Sequence, residues 1–160
     1  MNRPDDILFL ADAMVGKLSK WLRVLGYDTL YRRHYLPGGL DHLVGQGRRL
    51  ITRDRKTAAR VRDAVLIMAD RVGDQLKEVR NAVTLVPDPS RYFTICLVCN
   101  DTLKAVGPDE PMDKVPEYVF YQNPSGIRKC PSCLRFYWPG THRARMIRTL
   151  EVWGFPVPES

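Results

Sequence analysis

Apolar and polar positions alternate along the first ninety residues with two different periods. Short apolar runs, Ile7-Leu-Phe-Leu-Ala11, Arg49-Leu-Ile-Thr52 and Val65-Leu-Ile-Met-Ala69, predict buried strands. Between them the apolar residues recur at helical spacing. Val15, Leu18, Leu22 and Leu25 share one face of a helix over residues 14–25, and Gly26 is placed to end it as a left-handed cap. A weaker helix follows Pro37-Gly38-Gly39 and carries Asp41, Leu43 and Val44; another runs from Lys56 to Val61. A longer amphipathic helix passes through Val72, Leu76 and Val79, while Tyr27–Tyr31 and Val83–Val86 read as the second and fifth strands. Strands alternating with helices predict an α/β fold, a mostly parallel sheet with helices on both faces. Pro87-Asp88-Pro89 breaks the pattern, giving an expected α/β domain over residues 1–89 and a second unit over 90–160.

The second unit is marked by its cysteines. All four in the chain fall into two Cys-x-x-Cys pairs, Cys96-Leu-Val-Cys99 and Cys130-Pro-Ser-Cys133, with 30 residues between them. A two-residue gap lets both sulfurs of a tight turn face one point, and two such knuckles complete a tetrahedron of thiolates around Zn²⁺. A redox reading would use one pair and leave the other unexplained. A disulfide reading suits a secreted chain, and Met1–Asp6 carries no charged-then-apolar export signal. Four thiolates leave no open position for a water nucleophile, so the zinc is expected to be structural. Asn100 follows the first knuckle and tolerates the left-handed conformation such turns need; Leu134, after the second, suits it less well. The spacer is rich in Pro and acids at Gly107–Pro111 and strand-like at Tyr118-Val-Phe-Tyr121, which predicts a zinc ribbon with a long hairpin arm, followed by a C-terminal helix.

Charge and length narrow the functional classes. With 25 Lys+Arg against 18 Asp+Glu the formal charge is +7, and a tetrathiolate zinc lowers it to about +5. A positive field favours phosphate-rich partners through counterion release. No stretch approaches the roughly 20 apolar residues needed to span a bilayer, so no membrane partner is expected and the cytoplasm is the expected location. Gly-x-Gly-x-x-Gly and Walker loops are both missing, and His34, His42 and His142 are scattered through the sequence.

Acids recur where the predicted strands end. Asp12 follows the first strand, Asp54 the third and Asp70 the fourth. The carboxyl ends of parallel strands form the edge where α/β sheets bind ligands, and carboxylate clusters suit Mg²⁺ or Mn²⁺. Each of these aspartates also precedes a predicted helix, where Asp is a favoured N-cap. A phosphotransfer domain using Asp12 is a more distant alternative.

Taken together, Phe9-Leu-Ala-Asp12, Gly16-Lys17-Leu18, Trp21-Leu-Arg23, Leu25-Gly-Tyr-Asp28 and Leu50-Ile-Thr-Arg-Asp54 resemble the PIN-like RNase family called the Mut-seven C-terminal domain. The second half agrees in its knuckles, in Val115-Pro-Glu-Tyr-Val119 and in Tyr137-Trp-Pro-Gly-Thr-His142. The resemblance covers about residues 7 to 150 and implies a PIN-like α/β domain joined to a zinc ribbon. It also implies metal-dependent hydrolysis of RNA phosphodiester bonds. By position the family's acids map onto Asp12, Asp41, Asp54 and Asp70, with Asp12 and Asp54 holding Mg²⁺ or Mn²⁺. Lys17 is placed to reach a phosphate oxygen. Arg53 and Arg55 flank Asp54 as substrate contacts, and Arg23 either contacts substrate or braces Asp28. Arg135 and Arg143 stand among Arg128, Lys129, Arg145 and Arg148, interleaved with Phe136, Tyr137 and Trp138. This is a composition that grips RNA, or else packs the ribbon on the main domain. The competing function is a non-catalytic RNA-binding or ribosome-associated module.

Overall fold

The computed structural model describes residues 7–107, 110, 115–122 and 126–159. Four parallel strands form the main sheet: β1 (Leu8–Ala11), β2 (Thr29–Tyr31), β3 (Arg48–Thr52) and β4 (Val65–Leu66), in the order β2-β1-β3-β4. The register pairs Ala11 with Tyr31 on one side and with Ile51 on the other. Helices α1 (Gly16–Val24), α2 (Gly39–Gly45) and α3 (Arg55–Arg60) make the crossovers, and α4 (Val72–Val83) follows β4. From β1 the chain goes first to β2 on one flank and then, by way of α2, to β3 on the other. The switch point of the sheet therefore lies between β1 and β3.

Alternation along the strands separates two apolar layers. Phe9, Ala11, Ile51 and Val65 face Leu18 and Leu22 of α1 and Leu76 and Val79 of α4. Leu10 and Leu50 face the opposite way, onto Leu40, Leu43 and Val44 of α2 and onto Val61. The apolar stripe of the first helix, Val15, Leu18, Leu22 and Leu25, is buried throughout. Full burial of a leucine contributes about 1.5–3 kcal/mol, so this stripe anchors α1 on the sheet. Gly26 ends the helix with φ +89°, and a Cβ there would lie 2.6 Å from the carbonyl oxygen of Arg91.

Two predicted strands are something else. Val83–Val86 is not a fifth strand: α4 runs through Val83, Thr84 turns left-handed at φ 53°, and the Leu85 N–H closes on the Arg80 carbonyl at 3.0 Å. The fourth strand stops at Leu66, because the N–H groups of Met68 and Ala69 donate to the Glu78 carboxylate, both at 2.9 Å, instead of to a neighbouring strand. Tyr118–Tyr121 belongs to helix α5 (Glu117–Gln122), so the spacer is not a plain hairpin arm. Its aromatic and β-branched composition favours strand. Val115 and Val119, four apart, nevertheless bury together with Ile127, and Pro116 stands where a helix begins. The acid-rich stretch after Gly107 lies largely outside the described residues.

Strands β5 (Lys104–Ala105), β6 (Arg128–Lys129) and β7 (Phe136–Tyr137) form a small antiparallel sheet beside the cysteines. The last helix, α6 (Thr141–Val152), returns to the main core through Met146 and Leu150, joined by Tyr92 and Phe155. Residues on both sides of position 89 thus contribute to one apolar layer. Gly73 permits the closest approach. A Cβ there would meet the Trp153 indole at 2.5 Å, and that indole packs edge-on against Trp21 at 4.7 Å. No described helix is long and apolar enough to cross a membrane.

Candidate functional site

The four cysteines converge as their spacing predicts. Their sulfurs lie within 4.8 Å of one another, and Cys96 and Cys133 stand 3.7 Å apart. A tetrahedron of 2.3 Å zinc–sulfur bonds has an edge of about 3.8 Å, so the donor set fits Zn²⁺ in size and chemistry. The two knuckles are built alike. In the first, the Cys96 N–H donates to Asp101 and the Asn100 N–H to Cys96; in the second, Cys130 donates to Arg135 and Leu134 to Cys130. Asn100 and Leu134 both take the left-handed conformation, at φ 66° and 65°, so Leu134 accepts the strain that its side chain disfavours. Cys96 and Cys130 are fully buried, and none of the four is in a disulfide.

Crowding opposes ionising all four thiols at once. The Cys99 thiol is pushed up to about 12, first by its hydrogen bond to Cys133 and then by burial. Burial also raises Cys96, but hydrogen bonds from Tyr137 and from the backbone of Cys99 and Val98 outweigh it and bring the thiol down to about 7. Four thiolates cannot share this space without a cation among them. This arrangement is consistent with a zinc ribbon.

Two side chains dock the first knuckle onto the α/β layer. Arg23, expected on the substrate or as a brace for Asp28, is buried. Its Nε donates to the Thr29 carbonyl at 2.9 Å and its Nη1 to the Leu97 and Val98 carbonyls at 2.9 and 3.4 Å. These bonds tie the buried guanidinium to β2 and to the first knuckle. Asn100 accepts from the Thr29 N–H at 2.9 Å and donates to Asp28 at 2.6 Å, where Arg48 adds an ion pair at 3.0 Å.

The carboxyl edge of the main sheet holds the aspartates. Asp12 ends β1 at the switch point. Its Oδ1 caps the 3₁₀ turn Ala13–Val15 by accepting from the Met14 N–H at 3.0 Å, and its Oδ2 accepts from the Thr52 hydroxyl. That hydroxyl in turn accepts from the Asp54 N–H at 3.0 Å. Asp54 caps α3, taking the N–H and the hydroxyl of Thr57 at 3.0 and 2.5 Å. The hydroxyl and then the N–H of Thr57 hold the Asp54 carboxyl below the usual carboxylate range. One buried threonine therefore links the Asp12 carboxylate to the backbone of Asp54 across adjacent strands.

Asp41 and Asp70 do not join them. Asp41 pairs with Arg60 at 2.7 Å, and Asp70 with Arg53 at 2.9 Å, while Arg53 also donates to the Ala69 carbonyl. Among the described residues, only the four cysteines bring three or more Cys, His, Asp or Glu ligand atoms together. The expected cluster of four acids does not gather: Asp41 and Asp70 are each held by an arginine, and Asp12 and Asp54 are linked only through Thr52. Both outer pairs are solvent-exposed, a setting in which an ion pair contributes about 0–1 kcal/mol. Mg²⁺ commonly keeps several waters and takes one or two carboxylates alongside substrate phosphates, so a divalent site need not use all four acids.

Exposed cations line the same edge. Lys17 stands in the first turn of α1, Arg55 opens α3, and Arg32 and Arg33 follow β2 directly. The aromatic rim is made by Tyr35, whose hydroxyl donates to the Ala11 carbonyl at 2.7 Å, and by Tyr31, which reaches Ala13 at 3.2 Å. Burial raises the Tyr35 phenol above its ordinary range, with Asp12 adding to the effect. Thr52, Tyr35, Arg32 and Arg33 are not singled out by the sequence pattern. The signal for Arg32 and Arg33 is their place just past a predicted strand, the rule that finds Asp12. In the ribbon, Arg135 is exposed, whereas Arg143 lies over the Phe93 ring at 4.6 Å. The three histidines are exposed and do not gather.

A family model described as the Mut7-C RNAse domain matches residues 7–150. No curated protein and no solved structure is significantly similar to the chain. The match takes in the switch-point edge and both cysteine knuckles, nearly the whole length, and the chain therefore belongs to the Mut7-C RNase domain family.

Proposed function

We propose that the chain is a metal-dependent ribonuclease whose reaction centre is the Asp12–Thr52–Asp54 edge. The observation that carries this reading is one buried hydroxyl that holds the Asp12 carboxylate and the Asp54 backbone side by side at the switch point of a parallel sheet, in a chain of an RNase family. Asp12 and Asp54 are the residues that would hold Mg²⁺ or Mn²⁺. Bound there, the ion would supply a water of lowered pKa and neutralise charge on the scissile phosphate. The chain's own part is positioning. Thr52 fixes the Asp12 carboxylate and the backbone of Asp54, while Lys17, Arg32, Arg33 and Arg55 draw the RNA backbone to the edge. Asp41 and Asp70 stay outside, neutralised by Arg60 and Arg53.

The ribbon serves as a scaffold in this reading. A closed tetrathiolate site offers no position for substrate, and Arg23 and Asn100 bind its first knuckle to the sheet. The test is cleavage of labelled RNAs in Mg²⁺ or Mn²⁺ by the parent chain and by Asp12→Asn and Asp54→Asn. We expect cleavage by the parent and a loss of at least about 100-fold in each variant, as when groups acting on the transition state are removed. Cleavage that persists unchanged in both variants refutes the assignment.

A second reading, an RNA-binding module without catalysis, draws on the arginine pairs that occupy Asp41 and Asp70. It predicts salt-sensitive RNA binding that survives both substitutions, with no cleavage in any divalent ion.

A further inference from the structure

Between the ribbon and the α/β layer lies a half-open cleft of about 550 Å³. Small-molecule sites span about 300–1,000 Å³, so the cleft has the size of a ligand site. Lys20, Arg128 and Arg143 reach it with His142, and no Asp or Glu lines it among the described residues. Aromatic rings stand in its wall beside the aliphatic Leu97, Val98 and Met146: Tyr118, 60% exposed, and Trp138, whose indole rests against Gly140. Arg143 lies across Phe93, so an incoming flat group meets a guanidinium plane backed by an aromatic ring. The cleft is apolar enough to accept a flat ring, and cationic enough to demand a negative charge beside it.

We propose that this cleft receives an unpaired nucleobase of single-stranded RNA, stacked on Trp138 and the Arg143 plane, with its flanking phosphates on Lys20 and Arg128. The proposal rests on RNA being the ligand of this family member, and it adds a site that the aspartate edge does not contain. Aromatic and guanidinium faces bind splayed-out bases, and a duplex keeps those faces stacked inside. Placement supports the assignment. Lys20 lies one turn beyond Lys17 on α1, about 4.5 Å further along the axis, so the exposed face of this helix leads from the aspartate edge to the cleft. A strand anchored by one base in the cleft would run along α1 towards Asp12.

The test uses the full zinc-loaded chain carrying Asp12→Asn and Asp54→Asn, which removes cleavage, with a 5′-labelled oligouridylate and a duplex of equal length. Fluorescence anisotropy should show tighter binding of the single strand. Trp138→Ala should weaken that binding by about 5- to 150-fold, the range that base–aromatic stacking supplies. Because Trp138 is partly buried, Lys20→Glu and Arg128→Glu, both at exposed positions, give an arm that leaves the fold alone. Each should flatten the salt dependence by about 0.7 in log–log slope, one phosphate contact's worth. Binding of the single strand unchanged in all three variants, or equal affinity for the duplex, overturns the cleft while leaving the RNA reading intact. A parent chain that binds no RNA at low salt overturns both.

Discussion

Replacing Thr52 by Val isolates the feature on which the proposed reaction centre depends. Val keeps the shape of the side chain, which is fully buried, and removes only its hydroxyl. Two hydrogen bonds go with it, one to the Asp12 carboxylate and one from the Asp54 N–H. A buried group left unsatisfied costs about 1–3 kcal/mol. Both orphaned partners sit at a part-open edge where water can replace the hydroxyl, so the lower part of that range applies, about 1–2 kcal/mol. For a chain of this size each kcal/mol lowers the melting temperature by about 2–4 °C, giving an expected drop of about 2–8 °C. The functional effect should be larger than the structural one. Removing a group that orients metal-holding carboxylates costs about 10- to 100-fold in metal affinity or activity. The assay pairs a thermal melt with a Mn²⁺ activation curve for RNA cleavage, run on the parent, Thr52→Val and Thr52→Ser. Ser keeps the hydroxyl and should recover most of the activation. If Thr52→Val melts lower yet is half-activated at the parent's Mn²⁺ concentration, the hydroxyl serves the fold alone and has no part in holding the metal.

Elsewhere, elemental analysis of the purified chain should find one zinc per chain. Cys130→Ser should release it and make the ribbon sensitive to proteolysis, and retention of the metal in that variant would contradict the tetrathiolate assignment. Gly73→Ala places a methyl where the rigid Trp153 indole lies 2.5 Å away, so overpacking should cost about 1–3 kcal/mol in a thermal melt; an unchanged melt would mean that the indole gives way freely. The depressed carboxyl of Asp54 predicts a sign as well as a shift. With its folded pKa below the unfolded value of about 3.9, the Thr57 contacts contribute fully above that value and are lost as pH falls through the folded pKa. NMR titration of the Asp54 carboxyl should therefore show its midpoint rising towards about 3.9 in Thr57→Ala, and an unmoved midpoint would refute the cause.

Local pattern carried far in this chain, and its reach ended at tertiary partners. The stripe Val15, Leu18, Leu22 and Leu25 was legible because one helical face meets one sheet, and the cysteines because their spacing encodes the knuckle itself. Asn100 was legible as a left-handed residue. Its grip on Asp28 and Thr29 was not, since those partners lie more than seventy positions away. The grip of Arg23 was hidden for the same reason: its helix position leaves substrate and Asp28 as partners, and only the fold brings the Leu97 and Val98 carbonyls over it. Tyr118–Tyr121 has strand composition, yet the burial of Val115 and Val119 on one side decided for helix. The acids show the limit most clearly. Their positions after strands were readable, but whether a carboxylate meets its neighbour or an arginine depends on side chains contributed by other elements. Thr52 and Arg53, one residue apart, settle it in opposite ways for Asp12 and Asp70.

The most direct test of the reaction centre is to locate the ion itself. Crystals of the chain soaked in Mn²⁺ should give an anomalous peak about 2 Å from carboxylate oxygens of Asp12 and Asp54, lost in Asp12→Asn. A peak seated instead on Asp41 or Asp70, or one that stays in place in Asp12→Asn, would contradict a centre built on Asp12, Thr52 and Asp54.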